Sequence, residues 1–342
     1  MTNQELNKGA TAEEALRHYF INQGYFVVRS LPFKYNQIDI TDVDLWLYSK
    51  ASAFSRERTN VDIKNKKGAK AFERIIWAKG LQTTLRLERA IVATSFTKDE
   101  AQKFGLANNI IMITGDKLKK IIDGEVNSNR ITEEDFISST QNVEKRESDY
   151  KRRYQMSKSR LLSNLNFDAC NEYLQEIKFF LEQSMIKVDN NINHLRLLYI
   201  NIAFLLICID FITKEFTSVE KKTRAEILQN GFNYGERGKE RTETITDAAI
   251  KLASSVIASP SIATTLKRAV DEQTKNRPVG ILSDYFAHTN NMNSLFKNAS
   301  LFELHAYSQV VTTPSQLPID LQSIIGLLTD FFRIDRKKIL NL

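Results

Sequence analysis

The chain has 342 residues, 42% of them hydrophobic and 26% charged, and its 48 Lys and Arg against 41 Asp and Glu give a formal charge of +7. That length predicts two domains, and the positive charge favours contact with an anionic polymer. The two cysteines, Cys170 and Cys208, fall in helical-looking segments and the four histidines are scattered, which argues against a disulfide framework and against a zinc site.

The first predicted element is an amphipathic helix that begins near Thr11 and leads into a β-prone run. Thr11 is the predicted N-cap, Glu14 would complete a capping box, and Gly24 would end the helix. Glu13 has two interpretations. It is a candidate site residue, or it is only a first-turn acid that the helix dipole favours. The preceding residues are polar and predict no secretory signal, so we expect a cytoplasmic protein.

Two short apolar runs then carry the acidic residues that matter most for function. Asp44 lies in ITDVDLWLY, and Asp62 and Lys64 lie in TNVDIKNKK. Residues two positions apart on a strand project from the same face, so one face would present a carboxylate and an ammonium group together. Carboxylates are the ligands that Mg²⁺ prefers, and a nearby lysine can orient or deprotonate an attacking water.

A basic segment follows, with eight Lys or Arg against two Glu between Lys64 and Arg89, and it predicts a helix from about Ala69 to Leu85. Lys66, Lys67 and Lys70 are predicted to contact backbone phosphates. Strands are predicted at residues 90–94 and 110–113, with a short helix between them that Thr97 or Asp99 would cap. The predicted order is helix, strand, strand, strand, helix, strand, helix, strand.

Residues 126–149 are polar and are predicted to be a linker with one short helix begun by Thr132. The pattern beyond is helical, with predicted helices at 150–185, 191–216, from 223 through a glycine-broken stretch, 244–259, 261–275 and onward to the end. The predicted domains are therefore 1–125 and 150–342. Basic residues at the start of the second domain form a further candidate DNA-facing patch: Lys151, Arg152, Arg153, Lys158 and Arg160.

One segment, Leu195 to Ile212, has the apolar character of a membrane span. Arg196, Asn201 and Asp210 interrupt it, and it is shorter than the ~20 apolar residues that a bilayer core requires. We therefore predict a buried helix of a bundle and no membrane partner.

Residues from about 10 to 122 resemble the PD-(D/E)xK nuclease superfamily, in particular its Mrr-like restriction endonuclease branch. The matching residues are Glu13, eleven positions before the Gly24-Tyr25 pair; Asp44 at the first core acidic position; Asp62 and Lys64 at the (D/E)xK pair; and Gln82 at a polar position of the following helix. Val43 replaces the proline of the superfamily name, and the middle acid is Asp rather than Glu. Both changes weaken the motif without removing a ligand.

The resemblance implies an α/β restriction-endonuclease-like domain with a central mixed sheet flanked by helices, followed by an all-α domain. It further implies a site in which Glu13, Asp44, Asp62 and the carbonyl group of Ile63 bind Mg²⁺ or Mn²⁺, while Lys64 faces the attacking water. Gln82 would join the basic residues that contact nucleic acid.

The implied function is metal-dependent hydrolysis of DNA in restriction or antiphage defence. A homodimer that cuts both strands and a partner protein encoded nearby are compatible with it. Two alternatives keep the same fold: an inactive nucleic-acid-binding module and a structure-specific nuclease for branched DNA. A third is a helical interaction protein with an α/β scaffold, which leaves the basic segment unexplained.

Overall fold

Five strands pair in chain order to form one mixed sheet. The computed structural model describes residues 7–36, 38–65, 70–124, 129–141, 150–186, 191–257, 260–340 and 342. The elements of the N-terminal part are α1 (Lys8–Asn22), β1 (Phe26–Tyr35), β2 (Ile38–Lys50), β3 (Arg56–Lys64), α2 (Ala71–Thr84), β4 (Arg89–Thr94), α3 (Asp99–Ala107), β5 (Ile110–Thr114) and α4 (Gly115–Ile122). This confirms the predicted order of helices and strands.

The rest of the described chain is helical. Its helices are α5 (Glu133–Gln141), α6 (Tyr150–Arg160), α7 (Phe167–Met185), α8 (Asn191–Thr213), α9 (Lys221–Tyr234), α10 (Gly238–Ile257), α11 (Pro260–Asn276), α12 (Val279–Ala287), α13 (Thr289–Tyr307), α14 (Ile319–Phe332) and α15 (Arg336–Leu340). A mixed sheet flanked by helices, followed by a helical part, is therefore the architecture.

The sheet changes direction at β3. β1, β2 and β3 are antiparallel neighbours, whereas β3, β4 and β5 run parallel and are connected through α2 and α3. Alternate residues of β3 and β4 point to opposite faces. Val61 and Ile91 pack in a core with residues of α1 and α4, while Val92 packs in a second core with residues of α2.

Several predicted helix boundaries need correction. Asn7, not Thr11, caps α1, since its side-chain oxygen accepts hydrogen bonds from two backbone N–H groups of the first turn. The N-cap residue of α3 is Lys98, not Thr97 or Asp99, and its side chain makes no capping hydrogen bond. The predicted helix at 150–185 is two helices, because the chain turns before Asn166, which caps α7 through the Ala169 N–H. Thr132 does begin α5, as predicted.

The chain forms two compact units that do not follow the predicted domain boundaries. The first comprises Met1–Asn164, Ile192–Ile200 and Ala299–Val311, and the second comprises Leu165–Asn191, Asn201–Asn298 and Thr312–Leu342. Residues 129–141, inside the predicted linker, belong to the first unit, and Glu133 there is 2% exposed. Residues 142–149 lie outside the described part of the chain.

A buried charge cluster, consisting of Glu14, Arg17, Arg29, Glu133, Lys158 and Glu303, explains why the first unit extends so far along the chain. Arg29 of β1 donates to Glu14 at 2.9 Å, and Glu14 accepts the Glu133 N–H at 2.8 Å. Arg17 donates to Glu303 at 2.8 Å. Residues up to 286 positions apart in sequence are thereby joined inside one unit.

Lys158 belongs to this cluster, so the predicted DNA-facing role of this residue is wrong. It is 1% exposed, and its Nζ donates to Glu133 Oε1 at 2.6 Å and to the Arg29 carbonyl at 3.0 Å. The hydroxyl of Tyr307 also donates to Glu133, at 2.5 Å. These donors hold the pKa of Glu133 below its ordinary value despite the opposing effect of burial.

Among the described helices, one segment is long and apolar enough to cross a membrane, His194–Thr213, and 94% of its apolar window is buried inside the protein. Arg196 is accommodated there because its guanidinium donates to the carbonyls of Ala306 and Ser308, each at 2.7 Å. Length and composition alone are weak support for a membrane span. The predicted burial of this segment is confirmed.

Both cysteines are buried, and neither forms a disulfide. In the second unit, α9 passes so close to α7 that a Cβ at Gly231 would lie 2.3 Å from the Phe167 ring. Gly231 therefore permits the contact between these helices.

We expect Lys158→Met to lower the free energy of unfolding by roughly 3–5 kcal/mol, because it leaves the buried Glu133 carboxylate without its cation. Denaturant unfolding followed by circular dichroism measures the change. Lys34→Met is the matched control, since Lys34 pairs with Asp39 at the surface at 2.9 Å, and it should change stability by less than about 1 kcal/mol. Equal effects of the two substitutions would contradict the importance assigned to the buried pair.

Candidate functional site

Asp44 and Asp62 lie side by side where β2 and β3 separate. Leu45 and Val61 are the last paired residues of the two strands in this direction, and each acid is the next residue beyond that pair. Asp62 contacts α2 through Arg74, so this edge faces the α2 side of the sheet. The predicted proximity of the two acids follows from strand pairing across the β2–β3 hairpin.

Asp44 is anchored by the backbone of the neighbouring strand. Its Oδ2 accepts a hydrogen bond from the Ile63 N–H at 2.6 Å. Burial raises the pKa of Asp44 from 3.8 to about 6, and the negative charge of Glu13 adds to the rise. The Ile63 N–H and the positive charges of Arg74 and Lys64 oppose it without cancelling it. Asp44 is therefore close to all four of these groups, and the positive ones do not fully compensate its negative charge.

Asp62 is held by an arginine of α2. The Arg74 Nε donates to Asp62 Oδ2 at 2.7 Å, and the Arg74 Nη2 contacts the other carboxylate oxygen. Asp62 is 5% exposed, whereas the Arg74 side chain is 27% exposed. Solvent therefore reaches the ion pair mainly at the Arg74 side chain.

Lys64 ends β3 two residues after Asp62, opposite Thr94 of β4. It is half-buried, and its charge acts on Asp44. The structure thus brings together the three residues that the sequence singled out, two acids and one lysine.

Glu13 is close enough to Asp44 to influence its pKa, but its carboxylate is engaged elsewhere. Its Oε2 accepts a hydrogen bond from Arg29 Nε at 2.7 Å. The same guanidinium binds Glu134 of α5 through two bonds of 2.7 and 2.8 Å. Glu13 therefore belongs to an ion-pair network at the border of the candidate site.

The residues predicted to contact nucleic acid are placed differently from one another. Lys66 and Lys67 lie outside the described residues. Lys70 is exposed and forms an ion pair with Glu73 one turn along the chain at 2.8 Å. Gln82 is buried; its amide nitrogen donates to the Glu88 carbonyl, and its amide oxygen accepts from Lys79, each at 3.0 Å. Contacts within the fold account for Gln82 without a ligand.

The sequence interpretation missed Arg74, which counted only as one of eight basic residues. A helical pattern offers a signal, because Ile75 and Ala78 of α2 are fully buried and mark the side of the helix that faces the sheet. Arg74 adjoins that side, and its position indicates an arginine directed towards the sheet rather than outwards.

Two features decide how well the site suits a divalent metal ion. Asp44 and Asp62 provide oxygen ligands of the type that Mg²⁺ or Mn²⁺ prefers, and the raised pKa of Asp44 shows that its carboxylate lacks compensating positive charge. Among the described residues, however, no three His, Cys, Asp or Glu side chains are grouped closely enough to hold a metal. The donors fit in type, and Arg74 competes for one of them.

Comparison of the chain with protein-family models, with curated proteins and with solved structures gave no match.

The raised pKa of Asp44 has a consequence for stability. The folded state takes up a proton more readily than the unfolded chain, so the free energy of unfolding falls as pH rises from about 4 to 6 and stays lowered above that range. Asp44→Asn removes the charge and keeps an oxygen for the Ile63 N–H. In buffer with a chelator, we expect it to raise the melting temperature by a few degrees near about pH 8 and by less near about pH 4.5.

Asp116→Asn is the control for this measurement, because Asp116 is an exposed acid in the first turn of α4. It should lower the melting temperature slightly at both pH values, since it removes a favourable charge from a helix N-terminus. A lower melting temperature for Asp44→Asn at the higher pH would show that the Asp44 carboxylate stabilises the metal-free fold.

Proposed function

We propose that this protein is a metal-dependent nuclease that hydrolyses phosphodiester bonds in DNA, with its site at the ends of β2 and β3. The observation that carries the proposal is the placement of Asp44, Asp62 and Lys64 together beside Arg74. This arrangement, with the mixed sheet between helices, supports assignment to the PD-(D/E)xK type of fold. Restriction or antiphage defence is the biological setting proposed for it.

In the proposed site, Asp44 and Asp62 would hold Mg²⁺ or Mn²⁺, which supplies charge neutralisation at the scissile phosphate. Asp44 is positioned for this by the Ile63 N–H, which fixes one carboxylate oxygen. Glu13 is a weaker candidate ligand than the sequence suggested, because Arg29 holds its carboxylate.

Lys64 would orient or deprotonate the attacking water, or stabilise the negative charge that develops on the phosphate oxygens. Its ammonium lies at the end of β3, on the same face as Asp62, because the two residues are separated by one position. A positive group at this point stabilises the transition state more than the ground state, because the phosphate gains negative charge during attack.

Arg74 occupies the place of a cation in the metal-free protein. Its bidentate contact with Asp62 compensates a carboxylate that is almost fully buried. If Asp62 held a metal ion, the Arg74 guanidinium would lose this partner, and its planar set of donors suits a phosphate group. Arg74 would then contact the DNA backbone beside the reacting phosphate.

One observation favours a second candidate, an inactive nucleic-acid-binding module. The ion pair between Arg74 and Asp62 satisfies the buried carboxylate without any metal. In that case basic residues of α2 and its flanks would bind phosphates, and binding would be sequence-independent and salt-sensitive.

Cleavage of plasmid, linear and methylated DNA and of single-stranded RNA, with Mg²⁺ or Mn²⁺, tests the proposal. Asp62→Asn and Lys64→Met should each lower the rate by roughly 100-fold or more, since each removes a charge next to the reacting phosphate. Gel analysis of the products gives the rates and identifies the preferred substrate.

Asp116→Asn and Lys119→Met are matched controls, because both residues are exposed on α4. They should leave cleavage unchanged. If wild type cuts none of the substrates, while binding DNA in a salt-dependent manner that Asp62→Asn does not alter, the inactive binding module is the better description.

The competition at Asp62 gives a separate prediction. Arg74→Gln should tighten binding of Mg²⁺ or Mn²⁺ by about tenfold, because the metal no longer displaces a guanidinium. Isothermal titration of the metal into the protein measures this without reference to cleavage. Arg89→Gln is the control, since it removes an arginine paired with Glu57 at the surface at 2.6 Å. Weaker metal binding by Arg74→Gln than by the control would contradict the competition.

A further inference from the structure

A cavity of about 650 Å³ lies in the second unit, between α7, the end of α11 and the end of α14. Its volume is within the range of roughly 300–1,000 Å³ that is common for small-molecule sites. The walls combine positive side chains with aromatic rings.

The charge of the cavity is unbalanced. Lys178, Arg277 and Arg333 are among the lining residues, together with one described carboxylate, that of Glu272. Lys178 is paired, because its Nζ lies 3.8 Å from Glu182 Oε1. Glu272 is already engaged, because it accepts a hydrogen bond from Arg268 Nε at 2.9 Å. Arg277 and Arg333 therefore give the described walls a surplus of positive charge.

Arg277 is an exposed residue of the cavity lining. Burial lowers the pKa of Arg277, and no acidic group is identified as raising it. The pKa of Arg29 in the buried charge cluster is raised instead, because carboxylates outweigh its burial. The Arg277 guanidinium can therefore meet an anionic ligand that enters the cavity from solvent.

Arg333 is held in a fixed place beside Arg277. It follows α14 with a φ of 57°, a conformation that is uncommon outside glycine. Its guanidinium donates one hydrogen bond to the Asn276 carbonyl at 2.8 Å. A guanidinium group has five N–H donors, so this single bond leaves capacity for an anion.

The remaining walls provide an aromatic surface and an unused acceptor. The rings of Phe331 and Phe332 are 4.8 Å apart in an edge-to-face arrangement. The side-chain oxygen of Asn171 is buried and has no hydrogen-bond partner within the described structure. A buried amide oxygen of this kind is satisfied by a donor group of a ligand, such as an amino group on a ring.

We propose that this cavity binds a nucleotide, with its phosphate against Arg277 and Arg333, its base against Phe331 and Phe332, and a donor group directed to Asn171. The ligand class follows from the combination of an anion, a flat ring and a hydrogen-bond donor in one molecule. A free nucleotide and the phosphorylated end of a nucleic acid strand share this chemistry. The proposal does not depend on the activity of the site on the sheet.

Isothermal titration of the full chain tests it with AMP, GMP, adenosine, inorganic phosphate and a short 5′-phosphorylated oligonucleotide. AMP or GMP should bind at least about tenfold more tightly than adenosine or phosphate alone, because only the nucleotide uses both halves of the cavity. Stronger binding of the oligonucleotide than of either mononucleotide would identify a strand end as the ligand. Failure of every probe to bind at millimolar concentrations overturns the proposal.

Variants then locate the site. Arg277→Gln and Arg333→Gln should each weaken nucleotide binding by about tenfold or more, as expected for loss of a charge-assisted hydrogen bond. Lys222→Gln is the control, since Lys222 is exposed on α9 and does not line the cavity. Unchanged binding in both arginine variants overturns the assignment to this cavity.

Asn171→Leu tests the proposed position of the base with a variant that we expect to be more stable than wild type. Removing an unpaired buried amide should raise the melting temperature of the free protein and weaken nucleotide binding at the same time. A variant that is more stable and binds the nucleotide as well as wild type would show that Asn171 does not contact the ligand and would overturn the proposed position of the base.

Discussion

The contact on which the first unit depends is the multiple pairing of Arg29. The Arg29 guanidinium joins Glu13 and Glu14 of α1 to Glu134 of α5. The backbone carbonyl of Arg29 accepts a hydrogen bond from Lys158. Charges removed from water are stable only when partners and hydrogen bonds compensate them fully. Segments distant in sequence must therefore come together for any of these groups to be buried.

This network also decides which carboxylates are available for chemistry. Arg29 pairs with Glu13 and Glu14, and Arg74 pairs with Asp62. Asp44 is the exception in this region, because a backbone N–H and two more distant positive charges do not offset its burial. Asp44 is therefore the carboxylate at this sheet edge whose charge is least compensated.

The sequence predicted those features that depend on local period and strand pairing. The strands and the flanking helices follow from their own apolar patterns. The proximity of Asp44, Asp62 and Lys64 follows from the pairing of β2 with β3 and from alternation along β3. The positions of Arg29 and Lys158 could not be predicted in the same way. Their partners lie up to 129 residues away, and a basic residue in a polar helix looks the same in sequence whether it is solvated or buried.

The predicted helix start at Thr11 is wrong for a related reason. Glu14 looked like the second half of a capping box, but the pairing with Arg29 and with the Glu133 N–H removes it from that role. A local motif was outweighed by a long-range ion pair inside the unit. The domain boundary is affected in the same way, since residues 129–141 look like a linker until their partners in α1 and β1 are known.

Compensation of charge separates structural ionic groups from functional ones in this protein. Inside the buried charge cluster each acid has a cation within hydrogen-bonding distance, and the pKa values of Glu133 and Glu303 are lowered accordingly. Asp44 departs from this rule, because burial raises its pKa more than the nearby positive charges lower it. A carboxylate left undercompensated in this way is a candidate functional group, whereas the paired acids of the cluster are accounted for by the fold.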